Sequence, residues 1–330
     1  MNKTRLTGMA AALTALASLT ACGGGGAGPE APATPSSVGA MTINESNYEQ
    51  VMSDTMVAAM GATQPSGVST MVPFTPDSTQ WMQPVAATAA SITADGSAQG
   101  TQSQYCSTGS VDVAYTDTNR NGVQDEGDVM VARFVSCALP GQAGSMLYQV
   151  SGKVTIKLNG AAGPMDRNFG LVFDDFKIES VEFAGTVNGA MSYLLQPNLE
   201  RIDAPNLRLD MSDAGKSRTD SWTDFKYSVV ALDGVSMGGA VRVAFSGQLM
   251  SSAFGNKSVE LSTPTPIEFA GSDEAPYQGR MVVKGAGGAT ASATADRNQA
   301  VTLAVDANGD GVMDRSKLVS WTAFSGTDLP

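Results

Sequence analysis

Two short stretches carry the residues best placed to do chemistry. "DTNRNGVQDEGD", residues 117–128, offers Asp117, Asn119, Asn121, Asp125 and Asp128, with Gly122 where the chain must turn sharply. "DANGDGVMD", residues 306–314, offers Asp306, Asn308, Asp310 and Asp314 around Gly311. Oxygen donors at this spacing, with a carbonyl from Val123, are what a hard cation such as calcium takes. Both patterns fall short of a full ligand set. Asp128 stands where a longer, bidentate Glu is usual, and Lys317 occupies the twelfth position of the second stretch. The same residues also make plain polar turns, since Asn and Asp tolerate left-handed backbone angles and Gly accepts positive φ. The turn reading is preferred and calcium is the alternative; no cofactor is required.

Other chemistry is narrower still. The chain has no His, which removes Ser-His-Asp and Cys-His catalysis and the usual zinc sites. Asp174 and Asp175 in "VFDDF" are a carboxylate pair of the kind a hydrolase could use. Neighbours on a strand point to opposite faces, so the pair is expected to be split. No P-loop or SxxK motif is present.

The elements around these stretches are strands. "SVDVAY" sets Val111, Val113 and Tyr115 against polar neighbours; "KVTIKL", "NLRLDM", "VRVAF" and "VTLAV" alternate in the same way. A period of two with one wet face marks antiparallel strands. Both acidic stretches are therefore hairpin connections, the first between "SVDVAYT" and "DVMVARF", the second between "AVTLAV" and "LVSWTAF". A true EF-hand has helices there instead. No helical run is expected after residue 105. Before it, "TINESNYEQVMSDTMVAAM" reads as one amphipathic helix, with Tyr48, Met52, Met56 and Met60 on one face and Thr42 and Glu45 as a capping box. The methionine stripe is expected to fill core rather than line a groove. Residues 61–104 read as loops with at most a short strand or turn.

A weak repeat runs through the strands: "VSGKV", "FAGTV", "FSGQL" and "YQGRM" place Gly152, Gly185, Gly247 and Gly279 at matching positions. Glycine inside a strand marks a bulge, a bend or a close approach. The fold expected is mainly β, an antiparallel curved sheet or soluble barrel with one N-terminal amphipathic helix. A membrane-spanning barrel is disfavoured, because aromatics make up only 6% of the chain, too few for two girdles.

The first residues bear on location. "MNKTR" is a short basic head, "LTGMAAALTALASL" an uncharged apolar run too short to span a bilayer, and Leu19-Thr20-Ala21-Cys22 follows. This resembles the lipobox of bacterial lipoproteins. The resemblance implies cleavage before Cys22, lipidation of that residue and attachment to a membrane. With Gly23 rather than Asp next, it implies the outer membrane, facing the periplasm or the cell surface. The expected organisation is a signal peptide at 1–21, lipidated Cys22 with a Gly/Pro/Ala/Ser tether at 22–40, and one β-rich domain at 41–330. Within that domain, 41–104 holds the helix and loops and 105–330 the strands. The net charge of −12 becomes −14 when Lys3 and Arg5 leave with the leader. Such acidity disfavours nucleic acid and anionic surfaces as partners.

Export also bears on the remaining thiols. In an oxidising compartment Cys106 and Cys137 are expected to bridge. If Thr116 faces Val129, paired indices sum to 245, and Cys106 falls two positions from a register partner of Cys137.

The Cys-bounded hairpin with an Asp/Asn/Gly tip adds a general likeness to proteobacterial outer-membrane lipoproteins, which brings no activity with it. The function expected is that of a non-enzymatic binding or structural module of the envelope, its protein or apolar-ligand partner unspecified. A calcium-stabilised surface adhesion protein is the alternative, and a carboxylate-based hydrolase a more distant one.

Overall fold

A computed structural model describes residues 39–63, 97–101, 106–139, 148–160, 167–179, 183–213, 215–232, 239–270, 275–296 and 300–325. The segments expected to be leader and tether, with Cys22, lie outside the described residues up to residue 38. Helix α1 (Tyr48–Thr63) is followed by β1 (Ser97–Thr101), β2 (Thr108–Thr116), β3 (Val129–Leu139), β4 (Tyr148–Leu158), β5 (Arg167–Glu179), β6 (Phe183–Gln196) and β7 (Leu199–Asp213). Then come β8 (Lys216–Ala231), β9 (Val241–Ser251), β10 (Lys257–Phe269), β11 (Gln278–Lys284), β12 (Thr290–Asp296), β13 (Ala300–Asp306), β14 (Arg315–Ser320) and α2 (Trp321–Ser325). Every strand pairs antiparallel with its sequence neighbours, giving one open fourteen-stranded meander with β1 and β14 as its edges.

The period-two pattern becomes one-sided burial. Val111, Val113 and Tyr115 of β2, Val154 and Ile156 of β4, Leu207 and Leu209 of β7, Val241, Val243 and Phe245 of β9, and Val301, Leu303 and Val305 of β13 all turn inward and are buried. They join a single apolar core with α1, which packs against β7, β12, β13 and α2. The inward faces of the strands are buried with one sixteen-residue helix against them, which a flat sheet of this width would not allow, so the sheet curls around the helix. Tyr48, Met52 and Met56 are buried in this core and Met60 packs at its margin, so the methionine stripe is filler. Arg218 of β8 ties the helix down, donating to the Asp54 carbonyl at 2.7 Å and to the buried Asp220 at 2.8 Å.

Three expectations need correction. The helix starts at Tyr48, and its capping box is not Thr42 and Glu45. The Asn44 side chain accepts from the Ser46 N–H at 2.9 Å and the Asn47 side chain accepts from the Asn44 N–H at 2.8 Å, so these two residues make the side-chain bonds at the helix entry. The short strand allowed for within residues 61–104 is β1. The last expected strand is divided: β14 covers 315–320, and "WTAFS" is α2, where Ser320 Oγ accepts from the Ala323 N–H at 3.2 Å as an N-cap would. Asp174 and Asp175 do not split between faces.

That last correction has a physical cause that reaches across the sheet. Register shifts by one residue between Phe173 and Phe176, so both phenylalanines face inward and both aspartates outward. The same irregularity recurs at similar height in β3 around Ser136, in β7 against β6, in β8 around Asp224 and in β10. Ser136, Asp175 and Asp224 all take left-handed backbone angles, φ 44, 49 and 51. Gly152, Gly247 and Gly279 of the repeat lie at these shifts with positive φ; Gly185 does not, and pairs in an unbroken ladder. The row of bulges forms a transverse crease. Phe134, Phe173, Phe176, Trp222 and Phe225 line its inner side, with ring centroids 4.6–5.8 Å apart in neighbouring pairs.

The hairpin register is as the sequence implied. Thr116 pairs with Val129, and the sum of 245 holds to Ser110–Val135 before the shift at Gly109. Cys106 and Cys137 are bonded, with Cα atoms 5.1 Å apart. Replacing both by Ser is expected to lower stability by about 3–4 kcal/mol, the loop-closure entropy of a bridge across some thirty residues. Denaturant unfolding of the oxidised protein and the double variant measures it, and equal midpoints would refute it.

Candidate functional site

The two acidic loops are built on one plan. In the first, Asp117 is buried and its carboxylate accepts from the N–H groups of Asn121 at 3.3 Å and Gly122 at 2.6 Å. In the second, the buried Asp306 accepts from Gly309 at 2.7 Å, Asp310 at 3.2 Å and Gly311 at 2.8 Å. Asn119 and Asn308 each accept from the N–H two residues on, at 3.1 and 2.8 Å. Asn121 and Asp310 repeat that step toward Val123 and Val312. Arg120 and Gly309, and then Gly122 and Gly311, supply positive φ at matching positions. These are nested Asx turns, the chemistry the polar-turn reading called for.

Of the remaining carboxylates Asp128 turns into the core, while Asp125 stays on its loop beside Asn119 and Asn121. Asp128 is fully buried; it accepts from the Tyr115 hydroxyl, from the Thr118 N–H at 2.9 Å and from the Asp125 N–H at 3.0 Å. Burial pushes this carboxyl up, but the three donors outweigh it and hold it below the usual range. Tyr115 is pushed up by burial and by its bond to Asp128. Asp125 accepts from the side chains of Asn119 and Asn121, Asp314 accepts from the Ala307 N–H at 2.7 Å, and Lys317 pairs with Glu49 of α1 at 2.8 Å. Among the described residues no three Asp, Glu, Cys or His side chains form a metal-holding group. The loops cannot act together either. Connections of a meander alternate between its two ends, so the β2–β3 and β13–β14 loops lie at opposite ends of the sheet. Asp117→Ala is expected to destabilise the metal-free protein by about 1–3 kcal/mol, because two tip amides lose their acceptor. Thermal unfolding in chelator reads this, and a loss seen only with calcium present would contradict it.

Asp174 and Asp175 are both exposed, each paired with a lysine: Asp174 with Lys153 at 2.6 Å, Asp175 with Lys177 at 3.2 Å. On an outer face, each beside its own cation, they form two surface ion pairs.

One carboxyl escaped the sequence reading. Glu200 of β7 is 5% exposed, on the inward face with Ile202 and Ala204. Its strand partners are Leu195 and Val229, and Tyr193 and Tyr227 stand diagonal to it on β6 and β8. Its Oε1 meets no hydrogen-bond donor. Burial alone pushes its carboxyl up to about 8. Glu268 shows the opposite solution: nearly as buried, it accepts from Tyr277, Arg242 and Gln278, and these donors hold it below the usual range.

No protein-family model matches this chain, and neither the curated proteins nor the solved structures contain a significant match.

Proposed function

We propose that this chain is a lipid-anchored envelope protein, attached at the outer membrane through Cys22 and acting through its outer surface as a non-enzymatic binding or structural module. The observation that carries the non-enzymatic part is the packed inner face. Val113, Val154, Ile156, Ile202, Phe225 and Leu249 are each 0–2% exposed. A chamber wide enough for water would leave accessible area on its walls, and walls this closed favour a protein partner over an apolar ligand held inside. The outer face is polar and studded with short-range ion pairs, as a surface that works in water should be. The anchor is supported by Leu19-Thr20-Ala21-Cys22, and outer-membrane sorting by Gly23.

Cys22→Ser is expected to abolish metabolic acyl labelling and to move the protein from the membrane to the soluble fraction. A mutant that still carries lipid and still fractionates with the outer membrane sinks the anchoring reading.

The shared plan of the two loops favours one second reading, a calcium-stabilised adhesion protein. Calorimetric titration of metal-stripped protein tests it. Polar turns predict no saturable site tighter than about the millimolar range of extracellular modules. Two tighter sites, lost in Asp117→Ala and Asp306→Ala, would establish the second reading.

A further inference from the structure

The point where the chain enters the β body marks one end of the sheet. Ala40 bridges Ser258 in parallel, the Met41 N–H donates to the Ser258 carbonyl at 2.8 Å, and the Ala286 N–H donates to the Met41 carbonyl at 2.7 Å. Ser258 opens β10 and Ala286 lies in the β11–β12 turn, so both belong to the end that carries the 307–314 loop. That loop packs beside the entry: a Cβ on Gly309 would stand 3.0 Å from the Gly287 carbonyl oxygen. Past Gly309 the tip presents Val312, 65% exposed, and Met313, 41% exposed. Two large apolar side chains in water at a loop tip are not explained by the turn, whose bonds are made by Asp306, Asn308 and Asp310.

We propose that the Val312–Met313 tip docks into the surface of the bilayer that holds Cys22, an inference that rests on the anchoring reading. Residues 23–39 are all that separate Cys22 from the body at Ala40, a reach of at most about 60 Å. That reach lets the tip beside the entry point meet the lipid, and apolar burial is gained if it inserts. The acidic side chains of the loop offer limited opposition. Asp306 is buried and bonded to three amides, Asp310 and Asp314 are exposed but accept from the Val312 and Ala307 N–H groups, and Arg315 follows at once. Docking is therefore apolar in character and insensitive to salt.

The molecule contains its own control. Val123 occupies the matching position of the other loop, is 59% exposed, and lies at the far end of the sheet. Cys106 and Cys137 are bonded, so Cys22 is the one free thiol of chain 22–330 and can be coupled to a maleimide lipid in phosphatidylcholine vesicles. Hydroxyl-radical labelling is compared between tethered and untethered protein. Labelling of Val312 and Met313 is expected to fall about threefold or more on tethering, while Val123 stays unchanged. In Val312→Asp, Met313 is expected to regain its solution labelling. Unchanged labelling at 312–313, or an equal loss at Val123, overturns the proposal. Chemical coupling replaces cellular acylation here, so a failure of acyl labelling in cells counts against the anchor alone, and an unprotected tip counts against docking alone.

Discussion

Glu200→Gln removes a pH dependence from the stability of this protein. The folded-state pKa of Glu200 is raised by burial to about 8, whereas the unfolded chain has the ordinary value near 4.5. Between those two values the folded state holds a proton that the unfolded state releases. The stability contributed by this group is complete below about pH 4.5 and falls as pH rises, and the loss is finished once pH passes about 8. The full change is on the order of 4–5 kcal/mol. The only titratable groups set diagonally beside it on the neighbouring strands are Tyr193 and Tyr227, and Tyr227 is itself pushed upward, first by burial and then by the Glu200 charge. On its own strand, Arg201 and Asp203 pair with each other on the outer face at 3.0 Å. Urea unfolding of the parent and of Glu200→Gln between pH 5 and pH 9 should show a difference that shifts in favour of Gln as pH rises. A difference that does not vary with pH would mean that Glu200 gains a partner on ionisation, and the prediction fails.

Glu200 also shows where the sequence could have been read further. "LERIDA" alternates, and placing Ile202 inward places Glu200 inward too; the charge at a core position was the signal. The same holds for "VFDDF". Apolar residues three apart within a strand break the period of two, and a bulge is what reconciles them with one buried face. The alternation itself was legible because one-sided burial imposes it strand by strand, and the first hairpin register was legible because a loop of fixed length sets it. The two ends of the helical region were harder. Thr42 with Glu45 fits the capping-box pattern and Asn44 with Asn47 does not, yet the asparagines make the bonds at the helix entry. Trp321 and Phe324 are as compatible with a strand as with a turn of helix. Packing against Phe269, with the Trp321 ring centroid 6.0 Å away, accompanies the helical choice. The acidic loops were ambiguous for a deeper reason: a carboxylate oriented to receive tip amides and one oriented to receive a cation have the same sequence.

The crease is expected to set the curvature of this sheet, since bulges bend the strands that carry them, and Gly152 is among its most constrained positions. Its φ is 97, a region closed to side chains without strain, and a Cβ there would overlap the carbonyl oxygen of Asp175 and approach the Phe176 Cα to 2.8 Å. Neither neighbour can yield. Asp175 sits at φ 49 with its N–H bonded to the Asn188 side chain at 2.8 Å, and Phe176 is locked in the core against Phe134 and Phe173. Gly152→Ala therefore combines backbone strain with displacement of a bulge, and is expected to cost about 4 kcal/mol or more. Gly170 lies in the neighbouring strand with ordinary extended backbone, where a Cβ meets nothing closer than 3.8 Å. Gly170→Ala is expected to stay within about 0.5 kcal/mol of the parent, since a glycine in an open strand gains from a side chain as easily as it loses. Both variants keep the strand count, the disulfide and the core side chains, so the comparison isolates the crease. Urea midpoints with unchanged m-values measure it. If Gly152→Ala and Gly170→Ala unfold at the same midpoint, the bulge row is an irregularity that the sheet tolerates rather than the bend that lets its inner face close on α1.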